Sequence, residues 1–218
     1  MLKALIIKEI TLEWRQKAAI NGILLYLIST IFVCYLSFGL KSNVISPISW
    51  NALFWIIILF AAVNSVAKSF INQSEGRQLY YYVIASPQHI IIAKVLYNTI
   101  MLIGLALVGF LCYSLVMGSP VTNITLFLLD VVLASIGFSI TLTMVSGIAS
   151  KANNSTTLMA VLSFPIILPM LMMVIKISKN AIDGLDWSSS SDELLTLGAI
   201  NLIVGAVTYL LFPYLWRK

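Results

Sequence analysis

Six long apolar stretches run through the sequence, and they restrict what the chain can fold into more than any other feature. Each approaches the roughly 20 residues that an α-helix needs to cross the hydrocarbon core of a bilayer. Only 10% of the residues are charged, whereas a soluble domain carries about 25%. We therefore predict an all-α, polytopic membrane protein that forms one transmembrane domain over residues 1–218. Its predicted spans lie at about residues 20–40, 49–67, 95–117, 124–149, 156–177 and 194–216.

The lysines and arginines are distributed unevenly around these spans and predict an orientation. With six spans, both termini lie on one side of the membrane, together with the loops at 68–94 and 150–155. That side holds ten of the thirteen Lys and Arg residues, and the opposite side holds Lys41, Lys176 and Lys179. Because cytoplasmic loops carry the excess of positive charge, both termini are predicted to be cytoplasmic. The basic residues form no cluster with interleaved aromatic residues, so no nucleic-acid partner is predicted.

Residues 1–19 alternate apolar and charged groups at helical spacing. Leu2, Leu5, Ile6 and Ile10 form one stripe, and the charged residues lie mostly off it. This pattern predicts an amphipathic helix in the membrane interface. A charged tail that only sets the orientation is the alternative. The next apolar run ends in SFGLKSN, which lacks the small residues of a signal-peptide cleavage site, so we expect a retained first span.

The sequence lacks several motifs that would support catalysis. It contains no GxxxxGK[ST], HExxH or GxSxG motif, and the chain therefore has no P-loop of its own to bind a nucleotide. With His89 as the one histidine, a His-based triad and a multi-histidine metal site are excluded. Cys34 and Cys112 lie in predicted spans without a CxxC pair. We therefore predict neither an enzyme that acts alone, nor a metal site, nor a bound cofactor.

Asp130 is the one carboxylate deep in a predicted span. An ionisable group inside a membrane is costly and marks a functional site by default, so a role in binding substrate or protons is one interpretation. The residue lies only six or seven positions from the outer end of its span, however. Snorkelling or a water-filled vestibule would relieve the cost there. The alternative is therefore a tolerated acid at the interface or one that packs between helices.

Two prolines, Pro165 and Pro169, lie four residues apart in the fifth predicted span. Each removes a backbone hydrogen-bond donor and clashes with the preceding turn, so this span should kink or break. The bend is interpreted either as a hinge that opens a cavity or as a fixed feature of packing.

The segment between the second and third spans, residues 68–94, is too polar to cross a bilayer and too rich in apolar and aromatic residues for an ordinary loop. Ser86-Pro87 follows an apolar, aromatic run at residues 79–85. Because the residue before a proline avoids the α region, a short helix should end at Ser86 and a turn should lead to the third span. Such a helix would dock a soluble partner. The alternative is an interfacial helix that only places its tyrosines among the lipid headgroups.

This segment carries a family resemblance. The pattern Glu75-Gly76, Leu79, Ser86-Pro87 and Lys94 resembles the E…G…L…SP…K segment of ABC-2-type exporter permeases. The chain as a whole resembles the haem exporter protein B (CcmB) family of system I cytochrome c maturation. That closer likeness rests on residues 8–26, KEITLEWRQKAAINGILLY, and on the proline-paired residues 163–177, SFPIILPMLMMVIKI.

The resemblance implies a permease that works with other subunits. The segment would be a coupling helix seated in a separate ATPase subunit (CcmA-like) that binds ATP, and haem would be the substrate. Haem-handling membrane subunits (CcmC- and CcmD-like), a periplasmic haem chaperone (CcmE-like) and a second copy of this chain are implied as partners in the bacterial inner membrane. The implied coupling residues are Glu75, Gly76, Arg77, Leu79, Ser86, Pro87 and Lys94.

Direct haem ligation by this chain is not expected. His89 is the one imidazole that could bind haem iron, and a surface histidine is the ordinary alternative. Trp50 and Trp55, in SWNALFW, do not reproduce the tryptophan-rich WWD motif of the haem-handling subunit. Other functions fit the same residues: an ABC-2-type permease for a lipid or a drug, a non-transporting membrane scaffold, and a proton-coupled transporter that would depend on Asp130.

Overall fold

The structure is a computed structural model, and it describes residues 2–15, 17–39, 45–66, 70, 86–150 and 155–216. Within these ranges the chain is helical and contains no strand. Seven α-helices are present, with a π-helical turn at Tyr35–Gly39 after the second and a 3₁₀ turn at Trp187–Ser190 before the last. The helices are α1 Leu2–Arg15, α2 Lys17–Cys34, α3 Pro47–Val66, α4 Pro87–Met117, α5 Ile124–Ala149, α6 Ser155–Ile182 and α7 Ser191–Trp216.

Six of these helices are long and apolar enough to cross a membrane, and α1 precedes them. The predicted all-α, six-span architecture is therefore confirmed. A short helix between the second and third spans was also predicted, but most of segment 68–94 lies outside the described residues.

The third span begins earlier than the sequence predicted. Helix α4 begins at Pro87 rather than near residue 95, and it continues unbroken to Met117. Ser86 has an extended backbone (φ −66°, ψ 145°), and a proline fits the first helical position because no hydrogen bond is needed there. The 31 residues of α4 make a helix of about 46 Å, longer than the roughly 30 Å hydrocarbon core. The beginning of α4 can therefore extend beyond the bilayer.

The fifth span ends later than predicted, at Ile182 rather than at residue 177. The prediction placed Lys179 beyond the span, but a long lysine side chain can extend from a helix towards water. Gly184, at φ +75°, ends the helix, and the N–H of Leu185 donates to the carbonyl of Asn180 at 3.0 Å. This is the bonding of a Schellman cap, which needs a residue with positive φ.

Helix α5 lies at the centre of the bundle and contacts α3, α4, α6 and α7. Small residues allow these close approaches: a Cβ added at Gly137 would collide with the Asn201 side chain of α7. Polar side chains also join the helices. Asn98 Nδ2 donates to Thr143 Oγ1 at 2.8 Å, and Ser139 Oγ donates to the carbonyl of Val95 at 3.0 Å.

Candidate functional site at the base of segment 68–94

The structure describes both ends of the predicted coupling segment. Glu75, Gly76, Arg77 and Leu79 lie outside the described residues, and their coupling role stays a prediction. Phe70 near the beginning of the segment is described, as are all residues from Ser86 to Lys94. The geometry of these two ends shows how the segment is attached to the bundle.

The sequence predicted a turn at Ser86-Pro87, and in the structure these two residues form the start of α4. The N–H groups of His89 and Ile90 donate to the carbonyl of Ser86 at 3.0 and 3.3 Å. The Ser86 hydroxyl also contacts Nδ1 of His89, which is exposed in the first turn of the helix. No group of three or more potential metal ligands occurs in the part of the chain that the structure describes.

Lys94 is buried, with only 2% of its surface exposed. Its Nζ lies 3.5 Å from Oε2 of Glu9 in α1 and 4.6 Å from the centroid of the Phe70 ring. The lysine therefore faces the inside of this chain, where its charge is compensated by Glu9 and by the face of an aromatic ring. We call Glu9, Phe70 and Lys94 together the basal clamp.

Glu9 was not singled out from the sequence. It is 7% exposed, and its Oε1 accepts a hydrogen bond from Lys8 Nζ at 2.7 Å. Burial raises the pKa of the Glu9 carboxyl, but the charges of Lys94 and Lys8 outweigh it, so the pKa lies below the usual 4.5. Its spacing could have revealed it, since Glu9 lies four residues after Leu5, on the helix face that packs against the bundle.

Phe70 connects the basal clamp to the end of the bundle. Its ring lies 5.5 Å from that of Phe212 in α7, and its N–H donates to Ser146 Oγ in α5 at 3.4 Å. A Cβ added at Gly147 would lie 3.1 Å from the Phe212 ring, so the glycine leaves room for this aromatic pair. The two ends of segment 68–94 thus contact α1, α4, α5 and α7.

A comparison with protein-family models supports the family resemblance over nearly the whole chain. The model described as CcmB protein matches residues 1–214. The chain belongs to the CcmB family. This family supplies the transporter membrane subunit of the Ccm haem-export ABC complex, which serves cytochrome c biogenesis, and this subunit is not itself a catalytic enzyme. A search of curated proteins found no match.

The paired prolines that support the CcmB resemblance do not break their helix. Helix α6 is continuous through Pro165 and Pro169, so a break is excluded. Both prolines are exposed, as is Val161. Since a proline has no N–H, the carbonyls of Val161 and Pro165 lack their usual helical donors. A bend or a hinge at this position stays a prediction.

Asp130 of this CcmB-family chain is wholly enclosed, at 0% exposure. Neither carboxyl oxygen has a hydrogen-bond partner among the described residues. The enclosed side chain does not extend towards water from α5, which favours packing between helices over snorkelling. Two interpretations stay open: a packing acid between helices, and a group that binds a proton or substrate.

The two tryptophans of SWNALFW are packing residues. Trp50 Nε1 donates to the carbonyl of Gly118 at 2.8 Å, and Trp55 Nε1 donates to Ser178 Oγ at 2.9 Å. Both rings are buried against Phe54 and Phe127. Their polar atoms join α3 to neighbouring elements, which is what a buried indole requires.

Proposed function

We propose that this chain couples ATP hydrolysis by a separate ATPase subunit to haem delivery and to release of the haem chaperone in c-type cytochrome biogenesis. The match to the CcmB family over residues 1–214 is the observation that carries the proposal. The chain lacks a P-loop, so the energy for transport comes from a partner. In this proposal two copies of the chain lie in the bacterial inner membrane with both termini in the cytoplasm.

The attachment of segment 68–94 supports this coupling role. Phe70 is buried against α5 and α7, and Lys94, which lies in the span α4, is buried against Phe70 and Glu9 of α1. Closely packed side chains transmit a displacement because the interior leaves little free volume. An ATPase that moves the segment would therefore displace the ends of α4, α5 and α7 together.

Charge reversal within the segment tests the coupling. We expect Glu75→Lys and Arg77→Glu to abolish co-purification with the ATPase, or to uncouple its activity, with membrane insertion unchanged. Lys179→Glu is the matched control, because Lys179 is exposed in the last turn of α6, away from the segment. Normal coupling in both segment variants would contradict the proposal.

Deletion of the gene tests the substrate. A stain for covalent haem should show loss of mature c-type cytochromes while the apoproteins are still exported. Retention of haem-loaded cytochromes in the deletion strain would contradict a haem role and would leave a permease for another substrate.

A further inference from the structure

We infer that Glu9 is a positioning residue: its ion pair with Lys94 closes the basal clamp, so that α1 moves together with segment 68–94 when the segment receives force. This inference rests on the proposed coupling function. It gives the N-terminal helix a mechanical role in addition to lying in the membrane interface.

The clamp brings together the two ends of the segment. Phe70 and Lys94 are separated by 24 positions (94 minus 70), yet the lysine Nζ lies 4.6 Å from the ring centroid. A cation over an aromatic face is attracted by the ring, and more so when both are shielded from water. Both residues are almost completely buried. The two described ends of the segment therefore meet at one point of the bundle.

Glu9 adds a third element to that point. A buried ammonium is costly unless an opposite charge or a set of hydrogen-bond acceptors compensates it, and Oε2 of Glu9 lies 3.5 Å away. Glu9 itself is fixed by the 2.7 Å bond between its other oxygen and Lys8. The carboxylate is thus held in place on α1 while it faces α4.

The position of this acid is informative because α1 does not need it in order to lie on a membrane. An interfacial helix is held by its apolar face and by basic residues near the headgroups. A carboxylate buried against a span gains little net stability but selects one position of α1 relative to α4. Leu5, one turn before Glu9, packs against the same cluster of Phe70, Ile90, Ile91 and Phe212, which fixes the register of α1.

Paired spin labels measure whether α1 follows α4. Cysteines replace Thr11, which is exposed on α1, and Gln88, in the first turn of α4, in a full chain carrying Cys34→Ala and Cys112→Ala. The chain is purified in nanodiscs with its ATPase. We expect a narrow distance distribution for the otherwise unchanged chain, a broad one for Glu9→Gln, and an intermediate one for Glu9→Asp, which keeps the charge on a shorter side chain.

ATPase coupling is measured in the same preparations. Glu9→Gln should lower the stimulation of ATP hydrolysis by the membrane subunit about fivefold or more. Glu9→Asp keeps the charge, so its stimulation should lie between that of Glu9→Gln and that of the unchanged chain, and it replaces Glu9→Gln if the neutral variant fails to fold. Asp192→Asn, an exposed acid in the first turn of α7, is the matched control and should change neither measurement.

The outcomes separate the two proposals. The inference is overturned if Glu9→Gln leaves the distances narrow, or if it broadens them and coupling stays at the wild-type level. A wild-type chain that neither binds nor stimulates the ATPase overturns the proposed function, and this is seen before any Glu9 variant is made.

Discussion

At the scale of single residues, the structure gives buried charges very different surroundings. Glu9 and Lys94 compensate each other 3.5 Å apart, whereas Asp130 is enclosed with no hydrogen-bond partner among the described residues. The sequence identified Lys94 and Asp130 but missed Glu9, because a charge in an amphipathic helix is normally solvated. The spacing of Glu9 four residues after Leu5 was the available signal, and the packing of α1 against α4 shows that Glu9 faces inward.

The Glu9–Lys94 pair should make stability depend on pH in the acid range. The pKa of Glu9 is lowered by folding, so its contribution is present above the unfolded value of about 4.5 and is lost as the pH falls through the lower folded value. At pH 7, Glu9→Gln should cost about 1–3 kcal/mol. Thermal unfolding from pH 7 to pH 3.5 should show the difference between wild type and variant shrinking below about pH 4.5. A difference that grows on acidification would contradict this.

Asp130→Asn should leave both folding and cytochrome c maturation intact. The substitution preserves the shape of the side chain and removes an ionisable group for which the described structure provides no partner. The unfolding midpoint should be unchanged or raised, and a haem stain should show normal c-type cytochromes. Loss of maturation at a normal protein level would show instead that Asp130 binds a proton or substrate.

At the scale of elements, the six spans were predictable because apolar runs of bilayer length admit little other than transmembrane helices. The early start of α4 was missed, although the Ser86-Pro87 signal was recognised. The rule that ends one helix before a proline also places that proline at the first position of the next. The continuity of α6 through Pro165 and Pro169 could not be predicted either, since neighbouring helices decide whether a proline bends or breaks a membrane helix.

Proline replacements in α6 test whether the paired prolines act as a hinge or only serve packing. Pro169→Ala returns an N–H to the carbonyl of Pro165 and should raise the free energy of unfolding, by up to about 3 kcal/mol. If the site is a hinge, the stiffer helix should also lower ATP-coupled activity. Pro213→Ala in α7 is the control for replacing a helical proline elsewhere. A more stable Pro169→Ala protein with full activity would exclude the hinge.

The contact between α5 and α7 depends on Gly137. An added Cβ would displace the Asn201 side chain, whose Nδ2 donates to the carbonyl of Leu133 at 3.0 Å. Gly137→Ala should therefore destabilise the protein by about 1–3 kcal/mol. Gly104→Ala is the matched control, because a Cβ there meets no atom within 4 Å, and it should stabilise α4 by about 0.5–1 kcal/mol. Equal effects of the two changes on thermal unfolding would contradict this packing.

At the scale of the whole molecule, contacts between distant residues define the two ends of the bundle. Glu9, Phe70, Lys94, Ser146 and Phe212 are joined by contacts at one end. The other end joins the α4–α5 loop to the end of α6, where Thr122 Oγ1 donates to the carbonyl of Ile182 at 2.9 Å and Asn123 N–H donates to that of Ala181 at the same distance. The six alternating spans predicted which loops share an end of the bundle. The basal clamp could not be predicted in this way, because it depends on side chains that only tertiary packing brings together.

Cysteine labelling tests which end faces the cytoplasm. The charge asymmetry predicts that the clamp end is inside, so a cysteine at His89 should react with a membrane-impermeant maleimide only after cells are permeabilised. A cysteine at Ser188, exposed in the 3₁₀ turn at the opposite end, should react in intact cells. Both variants carry Cys34→Ala and Cys112→Ala, and the cysteine-free chain measures background labelling. The reverse pattern would place segment 68–94 outside, where no cytoplasmic ATPase can reach it, and would remove the proposed coupling and the role of Glu9 together.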